Sequence, residues 1–152
     1  MAVFSPYPAV GFHFSVNFLG IPGFVLDTKF MEVTGLTTEL EFENLVEAGN
    51  NRFTHRLPTR TKFGNLILKR GTPTMGLSPL VAWANASIYF MEIFPIEIQV
   101  ILLNENHIPL KAWNFSKAYP VKIDYAGLNA KESQIVIETL ELAYQFSTPM
   151  TL

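Results

Sequence analysis

Apolar and polar residues alternate along most of this chain. In "FHFSVNF" (12–18), Phe12, Phe14, Val16 and Phe18 fall on one face and His13, Ser15 and Asn17 on the other. That is the period of a half-buried strand. Gly20, Pro22 and Gly23 break it. "GLTTELEFENLVE" (35–47) alternates again, with Leu36, Thr38, Leu40 and Phe42 on one face and Glu39, Glu41 and Glu43 on the opposite one. A loop is expected around Gly49, Asn50 and Asn51, and "NLILKRG" (65–71) reads as a short strand ended by glycine. The period then changes once. Ser78 can cap a helix, Pro79 fits its first position, and Leu80, Trp83, Ala84, Ser87, Ile88 and Met91 keep helical spacing. A helix over about 78–92 follows, and Pro95 blocks its continuation.

The remainder returns to strands. "IEIQVILLN" (96–104), a turn at "NENH" (104–107) and "IPLKAWNFSKAY" (108–119) form a hairpin signal. "PVKIDYAGLNA" (120–130) holds a short strand and a turn at Gly127. In "SQIVIETLELAYQF" (133–146) the apolar phase shifts between Ile135/Ile137 and Leu140/Leu142/Tyr144/Phe146. A β-bulge near Glu138–Thr139 would reconcile the two halves. The expected fold is mainly β: a small antiparallel β-barrel or sandwich with one flanking α-helix. A length of 152 residues makes it a single domain, 1–152. The long C-terminal strands would leave bare backbone edges, which must be paired or covered.

Charge changes this picture. Charged residues make up 16% of the chain and aromatics 13%, with thirteen Phe, against a usual charged share of about 25%. Either the core is unusually rich in Phe, or much of the surface is covered by other subunits, since interface cores are depleted in charge. A membrane span does not fit: "LSPLVAWANASIYFM" (77–91) falls short of the ~20 apolar residues required and contains Asn85. The start, "MAVFSPYPAVGF", lacks a basic region and an apolar run of signal-peptide length. The acceptor patterns at Asn85 and Asn114 are then chance matches. With no cysteine, disulfides and thiolate metal sites are excluded.

No catalytic motif appears: there is no P-loop, no G-x-S-x-G and no H-E-x-x-H. His13, His55 and His107 lie in separate elements, without metal-ligand spacing. No cofactor is expected, and the chain reads as a non-enzyme. Glu39, Glu41 and Glu43 repeat along a strand at about 6.6 Å per two residues, a stripe rather than a calcium cage. Such a stripe is either a solvated sheet face or the charged lining of an enclosed space. The stretch "NNRFTHRLPTRTKFGNLILKRG" (50–71) holds six of the eleven Lys and Arg. Only Phe53 and Phe63 interleave with those charges, and the net charge is −2, so specific nucleic-acid binding is not expected. A solvated or salt-bridged loop, or a partner surface bearing carboxylates, would satisfy it.

Several motifs in order resemble a known family: "EVTGL" (32–36), "EAGNNRFTHRLP" (47–58), "NLILKRG" (65–71), "LLNENHIPLKAWNFSKAYPVK" (102–122) and "LNAKESQIVIETLELAYQ" (128–145). Together they look like the tail tube proteins of contractile phages and of phage-tail-like extracellular injection systems, over roughly 12–146. The basic segment and "SQIVIETLELAY" resemble most the tube paralogue next to the spike and baseplate. The resemblance implies a tail-tube-like barrel that forms hexameric rings. Stacked rings make a hollow conduit inside a contractile sheath, driven out when the sheath contracts. It implies as partners the chain itself, neighbouring tube paralogues, spike or hub and baseplate proteins, the sheath and a cargo in the lumen. It implies assembly in the bacterial cytoplasm without a signal peptide and no membrane insertion by this chain. Alternatives with the same fold are a baseplate hub adaptor and a secreted ring-forming shuttle or effector as in type VI secretion. The loop 47–59 is expected at the inter-ring contact, with Glu47, Asn50, Asn51, Arg52, His55 and Arg56 as candidates. Glu39, Glu41 and Glu43 are candidates for the lumen face. One departure stands out: many members have "LPG" where this chain has Leu57-Pro58-Thr59, and threonine resists backbone angles that glycine allows.

Overall fold

The computed structural model describes residues 13–20, 29–46, 48–49, 52–72, 78–126 and 136–150. The elements are β1 (His13–Leu19), β2 (Lys29–Phe30), β3 (Glu32–Thr34), β4 (Thr38–Leu45), β5 (His55–Phe63), β6 (Leu66–Gly71), α1 (Pro79–Phe90), β7 (Ile96–Leu103), β8 (Pro109–Ala126), β9 (Ile137–Ala143) and β10 (Phe146–Met150). Every strand pairing is antiparallel. The main sheet runs β2-β1-β7-β8-β9-β6-β3. Its two ends are neighbours in the chain, separated only by Met31. The Met31 amide donates to the Lys69 carbonyl at 2.8 Å, so this kinked strand hydrogen-bonds β1 on one side and β6 on the other. The sheet therefore closes into a small barrel, and closure removes exposed edges.

The barrel interior follows from alternation. β6, β7 and β9 bury every second residue. Phe115, Leu66, Leu68, Ile98, Leu142, Val16 and Val100 are the largest fully buried side chains. The face expected for β1 is the one observed: Val16 and Phe18 are buried and Phe14 packs against the core. Phe12 and Ile135 lie outside the described residues, as do Gly127 and its expected turn. The helix is close to its sequence limits. Ser78 caps it, its hydroxyl accepting from the Val81 amide, and Pro79 occupies the first turn. Leu80, Trp83, Ala84 and Ser87 face inward, and α1 packs against β8. Met91 departs from the helical pattern: it is the left-handed C-cap, with φ 56°.

Three expectations need correction. The bulge proposed at Glu138–Thr139 is absent, and β9 pairs with β6 in unbroken register. Its inward positions are Glu138, Leu140 and Leu142. The apparent change of phase arises because an inward position carries a charge. Arg70 Nε donates to Glu138 Oε2 at 2.8 Å, and Arg70 Nη2 donates to Ser78 Oγ at 2.9 Å. The guanidinium also lies 5.5 Å from the Phe30 ring centroid. Second, residues 109–126 form one strand, uninterrupted by Pro120, and the irregularity falls between Pro120 and Lys122 of β8. A second irregularity opposite Ile96–Ile98 places Lys117 at φ 53° and bends the strand. Below that bend β8 pairs with β10, and above it with β9. Third, the basic stretch is not a loop throughout. His55–Phe63 is a strand that pairs with β4. Its charges and Pro58 conceal the alternation that marks strands elsewhere.

Candidate assembly surface

β4 and β5 form a two-stranded arm separate from the barrel sheet. Its root is tightly built. Gly35 adopts φ 83°, and a Cβ there would lie 1.8 Å from the Asn65 carbonyl oxygen. No other residue type fits that approach, which accounts for the glycine of "EVTGL". The Gly64 amide donates to the Thr37 carbonyl at 3.2 Å. Phe63 packs on Phe146 and Tyr144, with ring centroids 5.5 and 5.8 Å away. Beyond this root nearly every residue of both strands is exposed. A lone hairpin is marginal in water, so the arm has the character of a surface waiting to be covered.

Its two faces differ. One carries Leu40 opposite Thr61, Phe42 opposite Pro58 and Asn44 opposite Arg56. The Arg56 guanidinium lies 5.0 Å from the Phe42 ring centroid. The other face carries Glu39 opposite Lys62, Glu41 opposite Arg60, Glu43 opposite Leu57 and Leu45 opposite His55. The three glutamates do share one face, as expected. They are not a purely acidic stripe, because β5 sets cations across from two of them. Arg60 Nε donates to Glu41 Oε2 at 2.6 Å. That hydrogen bond and the charge behind it hold the Glu41 carboxyl below the usual carboxylate range and raise Arg60 further. Opposite-charge cross-strand pairs of this kind stabilise a hairpin.

Thr59 explains how the departure from "LPG" is tolerated. The register shifts between Glu41 and Phe42, leaving Thr59 as the extra residue of a bulge. Among the described residues, only Met91, His107 and Lys117 are non-glycines with positive φ, so Thr59 avoids the region that favours glycine. Its hydroxyl donates to the Glu41 carbonyl at 3.2 Å. A shallow groove of about 690 Å³ lies beside the bulge, lined by Glu39, Leu40, Glu41, Phe42, Glu43, Thr59 and Arg60.

Of the expected contact residues, His55 and Arg56 begin β5 at the arm's outer end, opposite Leu45 and Asn44, and Arg52 precedes them in the chain. The Phe53 and His55 rings meet edge to face at 4.9 Å. Glu47, Asn50 and Asn51 fall outside the described residues. Among the described residues no group of three or more His, Asp or Glu could hold a metal ion. Among the described residues, no helix is long and apolar enough to cross a membrane.

A second surface was not singled out by periodicity. Tyr89, Phe90, Met91, Ile93 and Phe94 are all at least half exposed, at 72, 73, 76, 50 and 65%. The segment is held rigidly. The Glu92 amide donates to the Ala86 carbonyl, Trp83 Nε1 to the Phe94 carbonyl at 2.9 Å, and Ser87 Oγ to the Glu92 carbonyl. The run "YFMEIF" before Pro95 was the available signal: exposed consecutive apolar residues are costly unless something covers them.

A closed barrel with a two-stranded arm, an exposed apolar knob and, among the described residues, a β10 that pairs with β8 alone presents several surfaces that another chain could cover. Residues 10–148 match the model of the T4-like virus tail tube protein gp19 family, and the chain belongs to that family. No curated protein sequence matches it. Among solved structures it resembles a chain of the anti-feeding prophage baseplate, 6-fold symmetrised, with 28% identity over 97% of both chains and a TM-score of 0.79. It also resembles a chain of the extended sheath–tube complex of the PVC extracellular contractile injection system (23% identity, 97% and 93% covered, TM-score 0.74). Hcp1 from Salmonella typhimurium shares the fold (12% identity, 91% and 85% covered, TM-score 0.55).

Proposed function

We propose that this chain is a structural subunit of the inner tube of a contractile injection system, assembling as hexameric rings in the layer adjoining the spike and baseplate. The observation that carries the reading is the arm with both faces exposed, rooted by Gly35 on a closed barrel, in a chain of the tail tube family. Its free strands and the outer edge of β10 offer backbone donors and acceptors that a neighbouring copy can pair with. A head-to-tail contact of this kind makes a ring when its rotation closes and a filament when it does not. The baseplate layer is favoured by the 28% identity to a chain of the anti-feeding prophage baseplate structure. Glu39, Glu41 and Glu43, with Lys62 and Arg60 across from them, then face the lumen, and Arg52, His55 and Arg56 register the adjoining ring. The sheath, the spike and a lumen cargo are the further partners.

Negative-stain microscopy of the chain expressed alone tests this. Single rings that do not elongate support the baseplate-proximal layer. Long tubes move the chain to the bulk of the conduit, and persistent monomers at high concentration overturn the tube reading.

A further inference from the structure

The arm's outer end and the knob after α1 have matching chemistry. On one face of the arm, Leu40 and Phe42 are exposed at 62 and 52%, and the exposed cation Arg56 lies over the Phe42 ring, with Phe53 exposed nearby in sequence at 57%. At the knob, the run from Tyr89 to Phe94 carries five exposed apolar residues and one exposed charged residue, Glu92. The first surface is apolar with a basic residue, and the second is apolar with an acidic one. Within the subunit, the arm strands pair with each other and α1 packs on β8. The knob is held by its three hydrogen bonds, so little ordering is lost on that side when the two meet.

We infer that the knob at 89–94 of one copy is the receptor for the outer end of the β4–β5 arm of another copy, with Arg56 set against Glu92. This rests on the reading of the chain as a self-assembling tube subunit, and it names the surface on which the arm lands. The contact is heterologous, joining two different patches, so it propagates from copy to copy. The apolar side chains supply the buried area, and the Arg56–Glu92 pair fixes the register.

The absence of cysteine makes the test clean. Chains carrying Phe53→Cys and Phe90→Cys are purified separately, mixed and air-oxidised, then run on a non-reducing gel. The expected product is a disulfide-linked heterodimer, at several-fold excess over either homodimer. A charge swap supplies the second readout: Arg56→Glu and Glu92→Arg each reduce assembly at least tenfold by sedimentation, and the double variant recovers most of it. Rings or tubes that form without the heterodimer overturn the contact and leave the tube reading standing. So does a double variant no better than the singles. A chain that neither assembles nor cross-links overturns both.

Discussion

Arg70 and Glu138 show how one residue pair can disguise a strand. Their side chains are only 6% and 4% exposed, and the guanidinium also reaches Ser78, the helix cap. The pair therefore ties β6, β9 and α1 together. Burial and the Glu138 carboxylate raise the pKa of the neighbouring Tyr125 hydroxyl, as expected beside a charge kept from water. Replacing one partner leaves the other buried and uncompensated. Arg70→Met is expected to cost about 3–5 kcal/mol in urea unfolding, whereas Arg70→Met with Glu138→Leu regains most of that loss. Equal destabilisation of the single and double variants would show that the pair is not what holds this corner. In the sequence Glu138 reads as a break in phase because hydrophobic periodicity treats any charge as solvent-facing. A charge with a buried partner 68 residues earlier defeats that assumption.

At the scale of the element, the β4–β5 arm is the least self-sufficient part of the molecule. Its apolar residues Leu40, Phe42 and Leu57 stay in water, and its stability as a lone hairpin comes from ladder hydrogen bonds and cross-strand charges. Glu41 sets the pH dependence. Its folded-state pKa is depressed, mainly by the hydrogen bond from Arg60. The stabilisation is therefore present above the unfolded carboxylate value and lost as pH falls through the folded one. In the unassembled chain, amide protection in β4 and β5 should be low at neutral pH compared with β6 and β9, and should fall further on acidification below the carboxylate range. Glu41→Gln should remove that acid step while leaving barrel amides unchanged in hydrogen exchange. Half of the arm was legible beforehand. β4 alternates and was read as a strand, while β5 was hidden by Pro58 and a run of cations. Its pairing with β4 becomes visible only when Glu39 and Glu41 meet Lys62 and Arg60 in space.

At the scale of the whole molecule, the low charge of the chain has two sources rather than one. The barrel consumes a large share of the apolar residues, and Phe42, Phe53, Phe90, Phe94 and Phe146 remain on the surface. Of the two alternatives left by composition, the Phe-rich core is met only by Phe18, Phe30 and Phe115 among the described buried residues, and the exposed Phe side chains are the surface that the second, coverage by other subunits, would use. Charge at the arm's end should matter to assembly and little to folding, since exposed substitutions rarely move stability by more than about 0.5 kcal/mol. Arg52→Glu with Arg56→Glu is expected to keep the thermal midpoint within about 2 °C of the parent and to abolish stacking of its rings on those of the adjoining tube layer in micrographs of the mixed proteins. Normal stacking by that variant would remove the arm from the inter-ring contact.

The sequence by itself determined the strand-rich class, the single helix from Ser78 with its Pro95 stop, the 104–107 turn, and membership of the tube family through ordered motifs. Those are local or cumulative signals: a cap, a period, a turn residue, a string of short matches. Only the tertiary structure decided that the sheet closes through the kink at Met31, that Glu138 points inward, that Thr59 forms a bulge, and that Tyr89–Phe94 stands out as a knob. Each depends on partners far apart in the chain. Burial and strand pairing are properties of what a residue faces, and an alternating pattern says that a residue has two sides without saying what lies on either.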